Sequence, residues 1–126
     1  MTAIPNPRGN RLPRKKILRG RDQFRLLKCE GQRRAGRLLV CNFLQLSGRD
    51  QVAFIISKRC GPAVVRNRIR RRLKEAFRHY RQHLQPDQVI VWIARVPAGA
   101  ASYAELEAEM RQLIGKSKLW SAKSGF

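Results

Sequence analysis

The sequence predicts an α+β fold, with helices packed on a small sheet. Three observations predict it. The 126 residues are 43% hydrophobic, enough for one packed core, and the chain is too short for two comfortable domains. Three runs are rich in strand formers: Arg37–Leu46, Gln51–Ser57 and Val89–Val96. Two further segments repeat apolar residues at helical spacing, one from Val64 to about Leu84 and one beginning at Ser102.

The elements follow in chain order. Residues 1–12, with Pro5, Pro7 and Gly9, and Pro13 just beyond, read as a flexible basic arm. In Arg21–Glu30, Phe24 and Leu27 fall on one side and Gly31 follows as a C-cap, which predicts a short helix. Arg37–Leu46 is apolar on both faces except at Asn42 and Gln45. The turn Ser47–Asp50 joins it to Gln51–Ser57, and the natural reading is a hairpin. Gly61-Pro62 marks a boundary, with Pro62 suited to the first position of the long helix. Val89–Val96 is almost continuously apolar, the mark of a central strand covered on both faces. The strands before and after the long helix are candidates for parallel neighbours joined by a crossover. In the last helix Ser102 and Glu105 have capping-box spacing, and Leu106, Met110 and Leu113 form its buried stripe. Glu105, Glu107 and Glu109 lie near its positive end and make that region a poor phosphate surface. The end of the chain, from residue 119 on, reads as a loose tail. One domain over 13–118 remains.

The charge balance points to a partner. There are 28 basic residues against 8 acidic ones, a formal charge of +20, which favours a polyanion: nucleic acid or an anionic membrane surface. No segment approaches the ~18 consecutive apolar residues of a membrane span. The start has no apolar h-region, and Pro5, Pro7 and Pro13 spoil the amphipathic helix of a mitochondrial presequence, so the expected location is cytoplasmic. Cys29, Cys41 and Cys60 are odd in number, widely spaced and without a CxxC. They read as reduced thiols rather than a zinc site or disulfide framework. His79 and His83 are four apart, but Tyr80 stands where the metalloprotease pattern needs Glu. No carboxylate cluster or acid–base pair suggests catalysis by the chain itself, and no catalytic or metal residue is assigned.

The charge is concentrated in "SKRCGPAVVRNRIRRRLKEAFRHYR", Ser57 to Arg81, which holds ten Lys or Arg and one acid, Glu75. On a wheel of about 100° per residue, Val65, Ile69, Leu73, Ala76, Phe77, Tyr80 and Leu84 form a core stripe. Arg70, Arg71, Lys74, Arg78 and Arg81 occupy the neighbouring arc, with Arg68 and Arg72 further round. Most charge runs are merely solvated faces. This one is mostly Arg, whose planar fork matches phosphate. It has almost no interleaved acids. It also places Arg66 and Arg68 at the positive end of the helix dipole, where cations are disfavoured until an anion arrives. Such a surface positions a polyanion by shape and does not by itself choose between RNA and DNA.

The same stretch resembles the signature of the bacterial ribonuclease P protein family: Ser57-Lys58-Arg59, then Gly61, then Arg66-Asn67-Arg68 opening the basic helix. The resemblance extends over roughly residues 12 to 120. It takes in "LPRKKILRGRDQFRLLKCEG", with Phe24 seven residues before Gly31, and the strand ending in "IARVPA". It implies a four-stranded sheet with three helices, a left-handed βαβ crossover and the architecture of ribosomal protein S5 domain 2. It also implies the accessory protein of an endoribonuclease that removes the 5′ leader of precursor tRNA. In that family the hydrolysis belongs to a catalytic RNA with bound Mg²⁺, and no obligate protein partner is needed. The residues implied to bind the RNA subunit are Lys58, Arg59, Arg66, Asn67, Arg68, Arg70, Arg71, Arg72 and Lys74. Those implied for the leader cleft are Phe24, Lys28, Arg37 and Asn42. Two departures stand out: Lys28 replaces a usual second aromatic, and Asn42 occupies a sheet position that often carries Tyr. Competing classes are a structural RNA-binding protein, a DNA-binding module and a self-sufficient nuclease.

Overall fold

The computed structural model describes residues 30–121 except 47 and 49. Four strands form one mixed sheet: β1 (Gln32–Ala35), β2 (Leu39–Gln45), β3 (Gln51–Ile56) and β4 (Gln88–Ala94), in the order β1-β2-β4-β3. Helix α1 (Ala63–Tyr80) links β3 to β4, which lie parallel, and helix α2 (Tyr103–Lys116) follows β4. The crossover between parallel neighbours is therefore as expected. The expected hairpin is not: β4 lies between β2 and β3, antiparallel to β2. The apolar content of β4 explains the insertion. Five of its seven residues in succession are buried, Gln88 to Trp92, and only an interior strand can shield both of its faces. β1 is the fourth strand that the resemblance implied, although the residues themselves did not place it. Its four residues are all exposed, so it carries no apolar alternation.

The register sorts the faces. Rows Phe43–Ile90–Val52, Cys41–Trp92–Phe54 and Leu39–Ala94–Ile56 point towards the two helices. There they meet Ile69, Leu73, Ala76, Phe77 and Tyr80 of α1 and Leu106, Met110, Leu113 and Ile114 of α2. The wheel's core stripe is thus borne out, with Val65 and Leu84 packed at its margins. Phe77 makes edge contacts with Phe54 and Trp92 at 6.0 and 6.3 Å between ring centroids. The opposite face presents the row Arg33–Asn42–Val91–Ala53 and the smaller cluster of Ala53, Val89 and Val91 with Leu44, Leu46 and Ile93. Cys41 and Cys60 are free and buried, and burial pushes the Cys41 thiol up to about 12.

Several boundaries move. Pro62 is the N-cap of α1 rather than its first residue; its ψ of 169° is extended. The helix ends at Tyr80 and tightens into a 3₁₀ turn over Arg81–His83. The capping box of α2 is present: Glu105 N–H donates to Ser102 Oγ at 3.1 Å, and Ser102 N–H to Glu105 Oε1 at 3.0 Å. Of the predicted first helix only Glu30 is described, and it is helical. Cys29, the arm and residues 122–126 lie outside the described residues. The expected loose tail is corrected over Leu119–Ser121. Leu119 is buried, Trp120 meets Tyr80 edge-on at 5.6 Å, and Ser121 N–H donates to His83 O at 2.7 Å. Two apolar side chains in that stretch had a groove to fill, and they hold the backbone in place.

Candidate nucleic-acid interface

The basic helix starts from a compact platform. Ser57 is extended, Lys58–Cys60 make one 3₁₀ turn, and Gly61 redirects the chain at φ 135°. A Cβ at Gly61 would meet Val65 at 3.2 Å in a conformation that side chains disfavour, so Gly is required here on two grounds. Cys60 Sγ faces the carbonyls of Ala94 and Arg95 at 3.7 and 3.6 Å. Across from it runs the 3₁₀ turn Val96–Ala100, where a Cβ on Gly99 would stand 2.9 Å from the Cys60 carbonyl oxygen. Two turns and the helix N-terminus therefore pack as one block. Lys58 and Arg59 are exposed on it, as are Val64 and Val96.

The arginines of α1 divide by what they touch. Arg66 Nε donates to Gly61 O at 3.1 Å, Arg68 Nη2 to Gly99 O at 3.1 Å, and Arg72 Nη1 to Ala101 O at 2.9 Å. These three tie the helix to the turns before and after it. Each guanidinium has five N–H donors, so each keeps others for a phosphate. Arg70 Nη1 donates to Asn67 Oδ1 at 3.3 Å. Arg78 grips Glu75, at 3.0 Å from Nε, which holds the Glu75 carboxyl below its ordinary value. Arg71 and Lys74 are exposed, alongside Lys58, Arg59 and Asn67. No side chain caps the helix and its first turn holds no acid. The unrelieved positive end anticipated from sequence is therefore present in the fold. The structure brings all nine predicted RNA-subunit residues to one helix and its leading turn.

The predicted cleft residues are divided. Phe24 and Lys28 lie outside the described residues. Asn42 sits on the sheet face away from α1 and α2, beside Arg33 of β1, and its Oδ1 is buried without a hydrogen-bond partner. Gln51 Oε1, two positions before Ala53 on β3, shares that condition. Arg37 is turned elsewhere: its Nη2 lies 3.4 Å from Glu105 Oε2 at the start of α2. Phe43 faces the helices, with the Arg34 guanidinium 6.0 Å from its ring centre.

The family model described as Ribonuclease P matches residues 12–118. The chain belongs to the ribonuclease P protein family. It is 38% identical over 109 residues to the ribonuclease P protein component of Acidothermus cellulolyticus, covering 83% of this chain and 90% of that one. It is 37% identical over 123 residues to that of Thermus scotoductus, covering 91% and 73%. Its fold resembles that of Staphylococcus aureus RNase P protein, with a TM-score of 0.78 at 23% identity over 84% of this chain and 98% of that one. The RNase P protein from Thermotoga maritima gives 0.69 at 23% identity, over 79% and 96%.

In this ribonuclease P protein three acids of α2 hold the fold together. Glu105 caps α2, and its bonds to Ser102, with Arg37 near, lower its pKa. Glu107 accepts from Tyr103 OH at 2.8 Å. Glu109 Oε2 accepts from the N–H groups of Leu38 and Leu39, both at 2.6 Å. His79 Nε2 stands 3.5 Å from Glu75. Among the described residues no three His, Cys, Asp or Glu side chains gather, and no helix is long and apolar enough to cross a membrane. Sequence reasoning missed Arg33 and Gln51 as companions of Asn42. The run "QRR" ahead of Gly36 was the only signal for Arg33, and it gains meaning once β1 pairs with β2.

Proposed function

We propose that the chain binds the catalytic RNA of ribonuclease P through the surface of Lys58, Arg59, Arg66, Asn67, Arg68, Arg70, Arg71, Arg72 and Lys74. On the sheet face that carries Asn42 it contacts the 5′ leader of precursor tRNA, and so supports removal of the leader to leave the mature tRNA 5′ end. The observation that carries this reading is the uncapped, acid-free start of α1, surrounded by Arg66, Arg68, Lys58 and Arg59. An anion answers both the free backbone N–H groups of a helix start and the cations near it. RNA phosphates satisfy both at once.

The chain's own work is binding and positioning. The Arg68 and Arg72 bonds hold the Val96–Ala100 turn beside the helix, so the platform meets RNA already ordered. Asn42 and Gln51 carry buried amide oxygens without partners, which a leader nucleotide's donors satisfy. Mg²⁺ and the hydrolysis of the phosphodiester belong to the RNA subunit in this reading; among the described residues, Glu105, Glu107 and Glu109 are engaged by Ser102, Tyr103 and the backbone of Leu38 and Leu39.

The test is cleavage of precursor tRNA by a catalytic ribonuclease P RNA at low Mg²⁺, with and without the purified protein. Stimulation is expected. No stimulation at any magnesium concentration refutes the proposal, and cleavage by protein free of RNA revives the reading of a self-sufficient nuclease.

A further inference from the structure

A cavity of about 370 Å³ lies on the helix-packed side of the sheet, away from both surfaces described above. Its walls come from the outer ends of β1 and β2, the first residue of β4, and the chain just after α2. The volume falls in the range of small-ligand sites, about 300–1,000 Å³. It exists because the segment after α2 docks: Gln85 Nε2 donates to the carbonyls of Lys118 and Trp120 at 3.1 and 3.3 Å and closes one side.

Two of its lining groups are polar side chains that the fold nearly buries. Gln88, the first residue of β4, is 5% exposed and lines the cavity. Ser117 is 8% exposed, and its hydroxyl neighbours the Cys41 thiol at the cavity wall. A core strand with no other task would carry an apolar residue at position 88, as β4 does at its next six positions. The rim carries Arg34, Lys116 and Lys118 against one acid, Glu30. Arg34 is held in place: Nη1 donates to Arg33 O at 3.0 Å, and its guanidinium lies over Phe43.

We propose that this cavity binds a single unstacked nucleotide. The Gln88 amide pairs with a base edge, Ser117 completes the polar contact, Arg34 offers its guanidinium plane to the base, and Lys116 and Lys118 hold the phosphate. The carboxamide of Gln supplies one acceptor and one donor side by side, which is the pattern that a base edge answers. Arginine planes serve as stacking surfaces for splayed bases in RNA recognition. The ligand is a nucleoside monophosphate unit, either free or as one residue of an RNA strand. The site stands independently of the α1 surface and of the proposed role in precursor-tRNA cleavage.

The test uses the full chain labelled with ¹⁵N. It is titrated with the four ribonucleoside 5′-monophosphates, with a short single-stranded oligoribonucleotide, and with inorganic phosphate, while the Gln88 side-chain amide and the Ser117 backbone signal are followed. The Gln88 and Ser117 signals should shift with a mononucleotide if the ligand is free, or with the oligonucleotide alone if it is a residue of RNA. Phosphate should leave the Gln88 amide in place. Gln88→Leu should weaken this binding about tenfold while the protein still unfolds cooperatively in urea, because the leucine keeps the apolar stem and removes only the amide. Arg34→Ala, at an exposed edge position, provides a second variant and should weaken binding by a similar factor. The proposal is overturned if shifts are confined to Lys58–Lys74, if neither nucleotide probe moves Gln88, or if both variants bind as the parent does.

Discussion

The Arg68 guanidinium donates to the carbonyl oxygen of Gly99, 31 residues away, at 3.1 Å. Arg72 does the same for Ala101. Two arginines that a helical wheel assigns to a cationic face are thus also the struts of the turn beside it. Arg68→Ala should cost about 1–3 kcal/mol, the usual cost of losing a charged hydrogen bond to a part-buried acceptor. Amide exchange at Ala98 and Ala101 should quicken with it. Those two N–H groups close the Val96–Ala100 turn by bonding to Arg95 O and Ala98 O. Unchanged exchange would leave Arg68 a phosphate ligand only.

Gly99→Ala tests the same block from the other side. The new Cβ would fall 2.9 Å from the Cys60 carbonyl oxygen, a backbone atom with little room to yield. A loss of about 1–3 kcal/mol is expected, measured by urea unfolding. RNA-subunit affinity should fall too, because Lys58 and Arg59 ride on the displaced turn.

Glu109 is a structural acid. Its Oε2 accepts from two consecutive backbone N–H groups at the start of β2 and lies where a Cβ on Gly36 would be, at 2.7 Å. Glu109→Ala leaves both donors short of a partner and should destabilise the fold by about 2–4 kcal/mol. Glu107→Ala, which loses one bond from Tyr103, should cost less.

Acid should weaken the start of α2. The pKa of Glu105 in the folded chain is lowered from 4.5, chiefly by its bonds to Ser102. The unfolded chain therefore binds a proton first as the pH falls. The stabilisation from this group is complete above the unfolded value and disappears as the pH drops from about 4.5 through the lower folded value. The urea midpoint of Glu105→Gln should change less over that window than that of the parent. An identical profile would remove the capping box as the cause.

The long helix and the last helix were legible because their apolar residues recur at the helical period, and the last helix also carries a local capping box. The central position of β4 was legible from its unbroken apolar run. The hairpin was misread because strands adjacent in sequence usually pair, and nothing within β2 or β3 says that a strand some thirty residues later will come between them. β1 is an exposed edge strand, so burial leaves no pattern in "QRRA". In the candidate interface, charge and signature spacing placed nine residues on one surface. The bonds of Arg66, Arg68 and Arg72 to the neighbouring backbone were hidden, since their carbonyl partners lie in irregular turns with no side-chain code. The turning of Arg37 towards Glu105 was hidden for the same reason: the pairing is 68 residues apart.

The most direct measurement is the salt dependence of binding between the protein and the catalytic RNA, for the parent and for Arg71→Ala with Lys74→Ala. Both residues are exposed on α1. Each phosphate contact contributes roughly 0.7–0.9 to the slope of log K against log salt concentration. The parent should show a steep negative slope, and the double variant should bind more weakly with a slope reduced by about 1–2. An unchanged slope and affinity would contradict the assignment of this helix surface to RNA phosphates.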